Sequence, residues 1–240
     1  MVRISVTSSD LKYVEPDLFR VVGTLQDCHL SGCTMTRHQL STIFSTLRDT
    51  ADLKLRNLDL SVVNLSSLEP GLLQSVIRLE SCCLEESPLT AQQVSVIFRS
   101  LQETPVQDLK LRVLELSNVD LSSVDLGMIE SVVKLESLTL KSVSHSFLAT
   151  DTAFFKAILE AQDLKLRSID VGGNCFVGVP RTTLVWALAR LEKVSLTSVH
   201  LSTSQLLGIF KLAAGWQRYP AFSLVELLHY CALIGRAAEC

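Results

Sequence analysis

An apolar pair split by one residue recurs eight times along this chain: Ile4/Val6, Cys28/Leu30, Leu58/Leu60, Cys82/Leu84, Leu114/Leu116, Leu138/Leu140, Ile169/Val171 and Val194/Leu196. The steps between first members run 24, 30, 24, 32, 24, 31 and 25 residues, so short and long units alternate. A further leucine sits three places before the pair at Leu55, Leu79, Leu111, Leu135, Leu166 and Leu191, and another apolar residue usually lies five places after it. Successive side chains of a strand point to opposite faces, so each pair marks a short strand with two residues on its buried face. One such strand cannot bury itself. Stacking on its neighbours does so, and one strand per period of this length is a solenoid signature.

The rest of each long unit reads as helix. Val94, Ile97, Phe98 and Leu101 follow the i, i+3, i+4, i+7 spacing of one buried helical face, and Leu40, Ile43, Phe44 and Leu47 repeat it. A hydroxyl residue with glutamine three places on precedes three of these runs, as Thr36 with Gln39, Thr90 with Gln93 and Ser202 with Gln205. That is the pattern of a capping box, which satisfies first-turn amides locally. Short units carry tighter segments such as SSLEPGLLQSVI, read as one or two helical turns. The unit around Ser144 to Asp151 departs from the others: His145 stands at an apolar position and Phe154, Phe155, Ile158 and Leu159 come late, so a bulging loop is expected there.

The pentapeptide DLKLR begins at Asp52, Asp108 and Asp163, where a long unit's helix passes into the next strand; the other boundaries read IRLE, VKLE and ARLE. Just before the joint leucine the residue is basic six times running, at Lys54, Arg78, Lys110, Lys134, Lys165 and Arg190. Just after it the charge alternates through Arg56, Glu80, Arg112, Glu136, Arg167 and Glu192. At a strand spacing of ~4.8 Å the alternating row becomes a ladder of ion pairs. The uniform row becomes a ribbon of cations inside the ~8 Å screening length of physiological salt, and so the candidate anion-binding flank.

Composition supports one elongated unit. The 240 residues contain no linker-like stretch, so residues 1–240 are read as a single domain with repeats to about 213 and a C-terminal cap over 214–240. The cap is either a ninth strand through Phe222, Val225 and Leu227 or a closing helix over Leu224 to Ala238. Met1 falls where the first repeat leucine belongs, which leaves the first repeat uncapped, as in a fragment or a homodimer that hides its end. With 48% hydrophobic residues but only 6% aromatic, the core is built from many small, similar layers. The net charge of −3 argues against nucleic-acid binding by the chain as a whole. No apolar run approaches the ~20 residues of a membrane helix, so no membrane insertion is expected. Seven cysteines, none in a zinc or redox spacing, read as free thiols of a cytoplasmic protein.

The pattern LxxLxLxxxxL in eight registered copies resembles the leucine-rich repeats of the ribonuclease-inhibitor type, and is most similar to the alternating repeats of NOD-like receptors. The likeness covers roughly residues 1 to 210. It implies an α/β horseshoe, with a parallel sheet on the concave side and helices on the convex side. Only Asn174 fills the usual asparagine position of the turn; Cys33, Val63, Ser87, Val119, Val143 and Val199 stand there in other units. The resemblance also implies a non-enzymatic interaction module, a recognition or regulatory component related to innate-immune receptors.

Residue chemistry points the same way. Cys28 and His29 are the only thiol and imidazole in sequence contact, but they point to opposite strand faces and cannot form a nucleophile and base. Gly172 and Gly173 lack the spacing of a phosphate loop and serve a turn. No catalytic residue, cofactor or metal is expected. What the repeat creates is surface: Asp27, His29, Asp59, Cys83, Glu85, Glu86, Glu115, Asn118, Thr139, Lys141, Asp170 and Lys193 are expected on the concave face. Its acidic middle would steer a basic protein partner. The alternatives are a polyanion, nucleic acid or acidic polysaccharide, on the basic flank, and a ribonuclease-inhibitor-like action on an enzyme.

Overall fold

The computed structural model describes residues 2–121, 124–143 and 148–215. Eight strands, β1 (Arg3–Ser5), β2 (Asp27–His29), β3 (Asn57–Asp59), β4 (Ser81–Leu84), β5 (Val113–Ser117), β6 (Ser137–Lys141), β7 (Ser168–Asp170) and β8 (Lys193–Ser195), form one sheet in chain order. Every neighbouring pair is parallel. Between the strands lie, in order, a 3-10 segment (Pro16–Thr24), α1 (Arg37–Asp49), a second 3-10 segment (Pro70–Arg78), α2 (Ala91–Glu103), α3 (Leu126–Ile129) continued as 3-10 over Glu130–Lys134, α4 (Leu148–Glu160) and α5 (Arg181–Leu188), and α6 (Thr203–Gly215) follows β8. The alternation of short and long units thus becomes an alternation of short and 13-residue helical segments.

The apolar pairs set the register. Cys28 partners Leu58, Leu58 partners Cys82, Cys82 partners Leu114 and Leu114 partners Leu138, so like positions stack on like. From Cys28 onward both members of every pair are buried, together with the six joint leucines and the inward faces of the helices. Ile4 and Val6, on the edge strand, are only partly covered. The predicted late helix exists as α4, whose Phe154, Phe155 and Ile158 are buried. Of the loop expected around Ser144 to Asp151, residues 148–151 instead form the first turn of α4, while 144–147 lie outside the described residues, as do both readings of 214–240 beyond Gly215.

Two devices repeat from unit to unit. Two residues after the second apolar residue the backbone enters the left-handed region in all eight units, at Ser8, Gly32, Val62, Glu86, Asn118, Ser142, Gly173 and Ser198. Only two of these are glycine, the residue that adopts this conformation at no steric cost. In the next turn, Asn174 donates from Nδ2 to the carbonyls of Leu140 and Val171 and accepts from the Val143 amide. Ser87 does comparable work with a hydroxyl, donating to the Leu60 carbonyl at 2.7 Å and accepting from the Val63 amide at 3.3 Å. The Cys33 thiol reaches the Val6 carbonyl at 3.3 Å.

The second device is the capping glutamine. All three predicted boxes form, and the amide nitrogen of each glutamine also reaches into the preceding unit. Gln39 donates to the carbonyls of Leu11 and Val14, Gln93 to Leu65 and Leu68, and Gln205 to Phe176 and Val179. Four hydrogen bonds, two within the box and two from the glutamine Nε2, therefore start a helix and rivet two units together.

Candidate protein-binding face

The strand residues that do not face the helices form rows fixed by parallel pairing. One row runs Ser5, His29, Asp59, Cys83, Glu115, Thr139, Asp170 and Ser195 across all eight strands. Asp59, Cys83, Glu115 and Asp170 in it are half-buried, each flanked by neighbours one strand away, while Thr139 is nearly closed off.

Electrostatics narrow the acidic surface. Asp27 is only 3% exposed: Arg3 bonds to it at 3.0 Å and the Asn57 amide donates to its other oxygen. Those two bonds, the Asn57 bond foremost, hold its carboxyl below the usual carboxylate range. Asp27 is therefore a structural carboxylate rather than part of the presented surface. Lys141 lies within the acidic region and bridges Glu85 at 3.0 Å and Asp170 at 3.2 Å. Those bonds, led by that to Glu85, raise its pKa. His29 Nδ1 sits 3.6 Å from Asp59, and Ser61 bonds that carboxylate through both amide and hydroxyl. Glu115 forms no ion pair among the described residues, which leaves it as the centre of uncompensated charge, with Asp59, two strands away, beside the His29 imidazole.

Cys83 stands between these two carboxylates as the register partner of both. Burial, with Glu115 and Asp59 adding, pushes its thiol up to about 12. Cys28 is buried and likewise pushed up to about 12, chiefly by burial, so neither is poised as a nucleophile at neutral pH. Glu86 and Asn118 occupy the left-handed turn position and stand exposed at the margin of the sheet, and Lys193 is exposed on β8.

The basic flank divides into two sets. Arg78 donates to the carbonyls of Leu47, Arg48, Thr50 and Ala51 at the end of α1. Lys134 does the same for Leu101, Gln102 and Thr104 at the end of α2, and Arg190 for Ile158 and Leu159 in α4. A helix C-terminus carries partial negative charge and unpaired carbonyls, and these side chains satisfy both. Of the six cations, three are thus engaged at helix ends, while Lys54, Lys110 and Lys165 are exposed, in the joints before every second strand. The ladder is also broken into pairs. Arg56 meets Glu80 at 3.5 Å, Arg112 meets Glu136 at 3.4 Å and Arg167 meets Glu192 at 2.7 Å, while no ion pair links Glu80 to Arg112 or Glu136 to Arg167 among the described residues. The signal was present in the sequence, since the capping cations end short units only.

No protein-family model matches this chain, and no curated protein matches it in sequence. The described residues contain no helix long and apolar enough to cross a membrane.

Proposed function

We propose that this protein is a leucine-rich-repeat module of the ribonuclease-inhibitor and NOD-like-receptor type that binds a protein through the open face of its sheet. The stacking of eight like units in strict register supports the repeat assignment. The binding reading rests on one observation: the helices close one face of the sheet, while the other presents half-buried carboxylates, Asp59 beside the His29 imidazole and Glu115 with no ion pair among the described residues. A lysine- or arginine-rich segment of a partner would complete them. Partly buried charge pairs at an interface steer association and fix register. The role is non-enzymatic recognition or regulation in a reducing compartment such as the cytoplasm, related by repeat type to innate-immune receptors.

Surface plasmon resonance against basic, neutral and acidic synthetic peptides, together with affinity capture from the source tissue, tests this. Retention of basic peptides and of captured partners by the wild type, lost in Glu115→Lys with Asp59→Lys at an unchanged melting temperature, is the expected result. Equal retention by the variant would reject the face.

A further inference from the structure

Among the described residues, the open face brings together one set of donor atoms, Glu115 among them, whose grouping protein binding alone does not explain. Cys83 Sγ and a carboxylate oxygen from each of Glu85 and Glu115 all lie within 4.8 Å of one another, and all three residues are half-buried. The convergence has a cause in the sheet. Cys82 and Leu84 face the core, so Cys83 between them must face outward. Parallel pairing then sets Glu115 of β5 directly beside it. Glu85 leaves the end of β4 and is held over the same spot by Lys141.

Carboxylates on a sheet face are ordinary, but a thiol within reach of two of them is a different chemical object. A divalent cation that replaces the thiol proton would be held by a thiolate and two carboxylates at once.

We propose that Cys83, Glu85 and Glu115 form a site for one borderline-soft divalent cation of the zinc class. Zinc takes thiolate at about 2.3 Å and carboxylate at about 2.0–2.2 Å in tetrahedral geometry, so the glutamate oxygens close in by roughly an ångström through side-chain rotation. Harder cations such as magnesium and calcium prefer all-oxygen sites and gain nothing from the thiol. Binding breaks the S–H bond, releases one proton to solvent, forms one sulfur–metal and two oxygen–metal bonds, and changes no oxidation state. The fourth position is left to water or to a donor from a docked partner. Lys141, released from Glu85, keeps its bond to Asp170. The site stands whether or not a protein docks on this face.

The test is titration of the reduced full chain with Zn(II) in competition with a chromophoric chelator, and with Cd(II), whose thiolate charge-transfer band reports sulfur coordination. One equivalent bound with the band saturating at one equivalent is expected. Cys83→Ser should remove the band, Glu115→Gln should weaken Zn(II) binding about tenfold or more, and Cys175→Ser, which alters an exposed thiol elsewhere, should change neither. Absence of one-equivalent binding, a band that persists in Cys83→Ser, or unchanged affinity in Glu115→Gln would each overturn the site. Melting curves of the variants confirm that they are folded, and Glu115→Gln, which leaves the thiol in place, decides the matter if Cys83→Ser proves unstable.

Discussion

The side-chain amide of Gln93 donates to the main-chain carbonyl of Leu65 at 2.8 Å, across 28 residues of sequence and from a fully buried position. The same nitrogen reaches the Leu68 carbonyl at 2.7 Å, while the amide oxygen accepts from the Thr90 backbone. Removing the amide leaves the Leu68 carbonyl and the Thr90 amide without a protein partner, and costs the Leu65 carbonyl one of its two, the other being the Leu68 amide at 2.9 Å. Gln93→Leu is therefore expected to lower unfolding free energy by about 2–4 kcal/mol, with Gln93→Met similar, as read by urea denaturation. A loss below about 1 kcal/mol would mean that water replaces the amide.

Arg78 and Arg56 offer a contrast between a cation that caps a helix and one that pairs on the surface. Arg78→Ala leaves the last carbonyls of α1 unpaired and should cost about 1–3 kcal/mol. Arg56→Ala, which breaks an exposed pair with Glu80 at 3.5 Å, should cost only ~0.2–1 kcal/mol. The effect of the second should fade in high salt, and that of the first should persist. Equal losses in both variants would contradict the division of the basic flank.

Val62 holds a φ of 60° with a β-branched side chain that is largely exposed. This combination carries steric strain with little packing to offset it. Its equivalents Gly32 and Gly173 show the relaxed solution. Val62→Gly should gain about 0.5–1 kcal/mol, visible as a raised melting temperature, whereas Gly173→Val should lower it, since a Cβ there would meet the Ser142 hydroxyl at 2.5 Å.

Asp151 stands in α4 three residues before Phe154, as Val94 stands before Ile97 in α2, and is 1% exposed with one oxygen unpartnered. Burial pushes its carboxyl up to about 7. The folded state thus holds the proton more tightly than the unfolded chain. Stability linked to this group is fully present below the unfolded carboxylate value near pH 4 and is lost as pH rises to about 7, above which the loss stays constant. Asp151→Leu should restore the apolar position and remove this slope, becoming more stable than the wild type at pH 8. Parallel stability curves for the two between pH 4 and 7 would refute it.

The eight strands, their register, the capping boxes and the division into short and long units were all legible in the sequence. Each depends on periodicity or on residues within four places of one another, as in Thr90 with Gln93. The same reading placed His29, Asp59, Cys83, Glu115 and Asp170 on one face because side chains alternate along any strand. What stacking alone decided is where long side chains turn once neighbouring units arrive. Arg78 and Lys134 fold back onto helix ends more than 25 residues away, Asp27 is closed in by Arg3 and Asn57, and Lys141 reaches Glu85 two strands off. Sequence spacing names the strand and the face of a side chain, but the direction of a flexible charged chain follows from competition among carbonyls, carboxylates and water that only the assembled stack brings within reach.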